Sequence, residues 1–118
     1  MSLIDLAIRQ AARSRCRYRV GAVLASGNRV LAASPNRRRN NPRVDFLHAT
    51  FHAEEAVLRR TARTDRSTIY IARVNSLGHP ALAKPCPRCL QALVKAGVSR
   101  VYYTTDANVV DNFRLPAA

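Results

Sequence analysis

The spacing of apolar positions changes along the chain, and each change marks an element. Leu3, Ile4, Ala7, Ile8 and Ala11 recur at three and four residues, the stripe of an amphipathic helix running from Ser2 to about Ser14. Ser2 is placed to cap it, with Asp5 three residues on, in the manner of a capping box. From Arg19 to Ala25 the period falls to two, and both sets are apolar: Val20, Ala22 and Leu24 against Gly21 and Val23. A strand of that kind is central in its sheet and covered on both sides. Gly21 has no side chain, which lets a ligand or another backbone come close. Ser26-Gly27-Asn28 reads as a turn and Arg29 to Ala33 as the returning strand of a hairpin.

Ser34 to Ala49 contains Pro35, Pro42 and the run Arg37-Arg38-Arg39-Asn40-Asn41, a loop by composition. Helical spacing resumes from His52 to about Arg63, with Ala53, Ala56 and Val57 inward and Arg59, Arg60 and Arg63 toward water. Ser67 to Val74 is rich in β-branched and aromatic residues and reads as a strand, followed by a loop from Asn75 to Lys84. A second short helix spans Pro87 to Ala96, with proline at its first position and Gly97 just past its end. Leu90, Leu93 and Val94 give its buried face, and Arg100 to Thr104 is another strand. Strand, helix, strand, helix, strand implies right-handed crossovers and parallel pairing. Added to the hairpin, this predicts an α/β fold with a mixed sheet of four to five strands. The tail from Asp106 to Ala118 is left between a short helix and a cover over the sheet, through Val109, Val110 and Phe113.

Length and composition narrow the picture. A chain of 118 residues, 47% of them hydrophobic, is one domain, residues 1–118, with a modest core. No apolar run approaches the ~20 residues of a membrane span, so no membrane partner is expected. Met1 to Ala12 has no basic leader, which argues against a signal peptide and for a cytoplasmic protein. The net charge of +13 is large, and of the 20 basic residues only Lys84 and Lys95 are lysines. One reading is a solvated face written in GC-rich codons. The other is a polyanionic partner, because arginine pairs with phosphate through parallel hydrogen bonds and stacks on bases. Arg13, Arg15, Arg17 and Arg19 alternate through the connection into the first strand, with Tyr18 among them. Basic and aromatic residues in one loop are what single-stranded nucleic acid binding uses.

Two short stretches carry the chemistry: His52-Ala53-Glu54 and Pro85-Cys86-Pro87-Arg88-Cys89. Cys86 and Cys89, three residues apart, can present both sulfurs on one side of a helix, as two of zinc's tetrahedral ligands require. His52 supplies a third ligand and leaves the fourth corner for water, which then ionises near neutral pH. Both groups start predicted helices, where the dipole favours anionic sulfur. Glu54 is the proton carrier, base toward the water and then acid toward a leaving amine. Each motif alone is weak. Their pairing, H-x-E…P-C-x-x-C, is the established signature of zinc nucleobase deaminases, and it is matched here. A competing arrangement adds His48, four residues before His52, to close a Cys2His2 site. That would be a structural zinc in a nucleic-acid-binding module without catalysis. Cys16 remains as a free thiol with a packing role, consistent with a reducing compartment.

These residues resemble the cytidine deaminase superfamily, from Val20-Gly21-Ala22-Val23 through both motifs to Ala96-Gly97-Val98 and Val101-Tyr102-Tyr103. The resemblance implies a three-layer helix–sheet–helix sandwich, with His52, Cys86 and Cys89 on zinc and Glu54 catalytic. It also implies an asparagine against the sugar, matched by Asn36 with Asn40 and Asn41 as rivals, and backbone amides at Ala53 and near Cys86 against the base or the attacking water. The phosphate-facing loops of polynucleotide-acting members resemble Arg13–Arg19, Ser34–Pro42 and Tyr102–Asp106. On that likeness Arg17, Arg19, Arg37, Arg38, Arg39, Tyr102 and Tyr103 become candidate substrate contacts, although alternation points the two tyrosines to opposite faces. Members acting on adenosine in tRNA commonly have glutamate before the Pro-Cys pair, where this chain has Lys84. The expectation is therefore conversion of cytosine to uracil in single-stranded polynucleotide, chiefly DNA. Deamination of a free cytidine nucleotide is the alternative. The sequence is compatible with a homo-oligomer and does not set the oligomeric state.

Overall fold

The computed structural model describes residues 2–38, 50–62, 64–105 and 109–116. Helix α1, Leu3–Ala12, opens with the expected cap: the Asp5 backbone N–H donates to Ser2 Oγ at 3.2 Å, and the Ser2 backbone N–H donates to Asp5 Oδ2 at 3.3 Å. Strands β1, Arg19–Ser26, and β2, Arg29–Pro35, form the hairpin. Short strands β3, Arg37–Arg38, and β4, Thr50–Phe51, pair with each other and bring the chain to helix α2, Ala53–Arg59. Strand β5, Thr68–Val74, turns back through β6, Pro80–Ala81. Helix α3, Pro87–Lys95, strand β7, Arg100–Thr104, and strand β8, Val110–Arg114, complete the described elements.

The main path of the sheet runs β2-β1-β5-β7-β8, with β6 on the end of β5. Among the described strands only β5 and β7 pair in parallel, joined by the α3 crossover. β1 is antiparallel to both β2 and β5, so the α2 crossover passes over β1 and links two parallel strands that are not neighbours. The described part of the tail is a strand, from which Phe113 and, just beyond it, Leu115 pack against the core. Val110–Arg114 pairs antiparallel with β7 as an edge strand in which only Phe113 is half-buried. The polar positions conceal the strand because only one of its faces has a core to meet.

Alternation along the strands divides the interior as the apolar pattern predicts. Ala22, Leu24, Ile69, Ile71, Val101 and Tyr103 face α2 and α3, meeting Ala53, Val57 and Leu93. Val23 and Ala72 face α1 and meet Ala7. Helix α1 sits directly on β1 at Gly21. A Cβ there would lie 2.3 Å from the backbone N of Ala11 and from the carbonyl O of Ala7. Gly21 thus serves helix–sheet contact, the second of the two uses its bare backbone allows. The result is a three-layer sandwich of α1, sheet, and α2 with α3. Among the described residues, no helix is long and apolar enough to cross a membrane.

Candidate active site

Two helix starts meet beyond the carboxyl ends of the parallel strands, the usual place for a ligand in an open α/β sheet. His52 is the N-cap of α2 and Cys86 the N-cap of α3, with Cys89 in the first turn of α3. Their ligand atoms lie within 4.8 Å of one another. His52 Nδ1 is 3.6 Å from Cys86 Sγ and 3.0 Å from Cys89 Sγ. A nitrogen and a sulfur on one tetrahedral zinc, at their usual bond lengths, stand about 3.6 Å apart. Cys89 shares the buried face of α3 with Leu93 one turn on, which fixes its direction inward.

The donor set fits a divalent cation for a further reason. Burial pushes the Cys89 thiol well above its ordinary range, and the Glu54 carboxylate adds to the rise. Burial likewise raises the Glu54 carboxyl, against the pull of its own backbone N–H, Cys89 and His52. Two buried acceptors, Cys89 and Glu54, with the half-buried Cys86 beside them, are costly as anions by themselves. A cation between them removes that cost, and none of the four groups forms an ion pair with a side chain among the described residues.

Glu54 is 5% exposed, on the first turn of α2. Together with His52, Ala53 and Cys86 it forms the floor of a cavity of about 350 Å³. Tyr18, Val20, Asn36, Arg73, Leu82, Ala83 and Lys84 complete the lining. Asn36 anchors the mouth: its Oδ1 accepts from Ser14 Oγ at 2.5 Å and from the Val20 N–H at 3.0 Å, and its Nδ2 donates to the Tyr18 carbonyl at 2.7 Å. One N–H of Nδ2 remains for the cavity. Thr104 positions the approach to Cys86. Its Oγ1 donates to the Ala81 carbonyl at 2.7 Å, and its carbonyl accepts from the Ala83 N–H at 2.9 Å.

Other predicted contacts fall elsewhere. Tyr102 stacks on Tyr70, centroids 5.1 Å apart, on the α1 side of the sheet. Tyr103 is buried edge-on against Phe113. Neither lines the cavity, because alternation on β7 sends one into each layer and short of the mouth. Arg19 donates through Nη2 to the Asn75 carbonyl and holds the β5–β6 turn. Arg17 is exposed, its Cζ 5.8 Å from the centre of the Tyr18 ring. Arg37 is exposed and lines a separate hollow of about 720 Å³ with Arg13, Ser14, Arg15, Cys16, Pro35 and Asn36. Arg38 pairs through its backbone with Thr50. Arg39, Asn40, Asn41, His48 and Arg63 lie outside the described residues. Arg73 and Leu82 are cavity residues that no motif marks. The one signal for Arg73 is a charge interrupting the otherwise apolar run of β5.

A family model, cytidine and deoxycytidylate deaminase zinc-binding region, matches residues 1–105. The chain belongs to that family. The deaminase is therefore a zinc-dependent hydrolase, with His52, Cys86 and Cys89 as the candidate metal ligands. A dCMP deaminase from the cyanophage S-TIM5 is similar at 25% identity and a TM-score of 0.67, over 86% of this chain and 78% of that one. Cytidine deaminase from Mycobacterium tuberculosis is similar at 28% identity and a TM-score of 0.60, over 96% and 87%. Cytidine deaminase from Burkholderia pseudomallei shares the fold with a TM-score of 0.73 at 19% identity, over 98% and 94%. No curated protein matches the deaminase by sequence.

Proposed function

We propose that the deaminase converts cytosine to uracil within single-stranded polynucleotide, chiefly DNA. His52, Cys86 and Cys89 would hold zinc, which when bound would supply Lewis acidity that lowers the pKa of a water. Glu54, the carboxylate of the same cavity, takes the proton from the attacking water and hands it to the departing amine. The water oxygen adds to the ring carbon as N3 gains one of the water's protons; the carbonyl then forms as the exocyclic C–N bond breaks, and the other proton leaves with the amine as ammonia. Asn36 turns its remaining N–H toward the sugar, and Ala53, buried at the start of α2, closes the floor beside the base.

The observation that carries the polynucleotide reading is the arginine-lined hollow. It shares Asn36 with the reaction cavity and adds Arg13, Arg15 and Arg37 around a buried floor of Ser14 and Cys16. A single nucleotide fills one cavity; a neighbouring phosphate needs the second, and phosphate contacts dominate such binding. The test compares turnover of deoxycytidine monophosphate and of a short single-stranded oligonucleotide over a salt series. Oligonucleotide turnover should fall as salt rises, with a slope that shrinks by about one for each arginine neutralised in Arg13→Gln or Arg37→Gln. Salt-independent oligonucleotide turnover contradicts the reading.

A second reading, deamination of free deoxycytidylate, is favoured by the family description and by the likeness to the cyanophage dCMP deaminase. Fast turnover of the monophosphate with none of the oligonucleotide decides for it.

A further inference from the structure

Arg73 stands one place before the end of β5, opposite Val20 of β1, and lines the cavity that holds Glu54 and His52. Its Nε is buried and has no hydrogen-bond partner among the described residues. The guanidinium lies over the Tyr18 ring, Cζ 5.1 Å from the ring centre. Tyr18 is in turn fixed through its carbonyl to Asn36. A guanidinium keeps its charge at every working pH, and a buried donor on it calls for an acceptor. The stacked ring satisfies the face of the group and leaves its edge, where the N–H bonds point, unused. Lys84 adds a second cation to the lining, whose one carboxylate, Glu54, is committed to proton transfer. Among the described residues, the lining sets no carboxylate other than Glu54 against these two cations.

We propose that Arg73 is the phosphate-recognising residue of this deaminase. Its two Nη groups form a two-point fork on the phosphate carried by the target cytidine's sugar, with the guanidinium held over the Tyr18 ring. The inference rests on the reading that the site deaminates cytosine. It applies to a free nucleotide and to a polynucleotide alike, since both carry that phosphate. A base carbonyl would satisfy the donor and leave the charge unmatched, so phosphate fits better.

The experiment measures kcat and KM of the zinc-loaded enzyme and of Arg73→Gln and Arg73→Lys on deoxycytidine, deoxycytidine monophosphate and a short oligonucleotide. Zinc content and Tm are recorded for each protein. Wild type should prefer a phosphate-bearing substrate to deoxycytidine. Arg73→Gln should raise KM for that substrate by about 10- to 100-fold, the size of a lost charge-assisted hydrogen bond, with kcat and the deoxycytidine rate little changed. Arg73→Lys, which keeps the charge and loses the fork, should fall between and serves alone where the glutamine variant does not fold. A loss on the monophosphate identifies a terminal phosphate, and a loss confined to the oligonucleotide a bridging one. An equal loss on deoxycytidine, no loss anywhere, or a wild-type preference for deoxycytidine overturns the role of Arg73. Absence of cytosine turnover by wild type on every substrate overturns the underlying reading instead.

Discussion

The floor and the mouth of the cavity are built by different means. The floor comes from two helix starts: His52, Ala53 and Glu54 are consecutive, and Cys86 and Cys89 lie within one turn. Backbone geometry over a few residues decides where those groups point. The mouth collects Tyr18 from the α1–β1 connection, Asn36 after β2, Arg73 on β5 and Leu82 and Lys84 after β6. These residues meet only because the sheet orders its strands as it does. Reaction chemistry is thus fixed locally, and substrate choice is fixed by long-range assembly.

If the division is correct, floor variants lose turnover on every substrate and mouth variants discriminate between substrates. The largest effect belongs to Glu54→Gln: zinc content should stay near wild type while kcat drops about 10²- to 10⁴-fold on all substrates, measured by ammonia release. Cys89→Ser should lose bound zinc by elemental analysis and lose turnover with it, and dialysis against a chelator should reproduce the loss in wild type. Asn36→Ala tests the mouth. It strips the partners from the Val20 N–H and the Tyr18 carbonyl, which should cost about 1–3 kcal/mol of stability by denaturant unfolding and raise KM more than it lowers kcat. A uniform fall in kcat from that variant would break the division. The smallest functional effect is expected of Gly21→Ala. Its Cβ would press α1 off β1, at about 1–3 kcal/mol in thermal melts, with kinetics of the folded fraction unchanged because α1 lies on the opposite layer from the zinc ligands.

The same contrast explains what was legible beforehand. Both ligand motifs, the helix starts beneath them, the two-faced β1 and the capping box at Ser2 follow from residues a few places apart, and the structure has them. Three helix ends moved inward: α1 ends at Ala12, α2 at Arg59 and α3 at Lys95. Strand β8 escaped because a half-buried edge strand carries no apolar run, and β6 because two residues carry no period. A charge within an apolar strand is the one sign Arg73 carries and Leu82 carries none, since strand order is needed to bring them beside Glu54. Tyr102 and Tyr103 drew attention as an aromatic pair beside a loop, yet their side chains go to opposite layers as strand alternation requires.

The central claim is a zinc held by three protein side chains with one corner open to water. X-ray absorption at the zinc edge of the purified protein reads that directly. The account predicts two sulfurs at about 2.3 Å, one imidazole nitrogen at about 2.0–2.1 Å and one further light atom from solvent. A second imidazole in that shell, as a His48 ligand would give, or purified protein that binds no zinc at all, contradicts it.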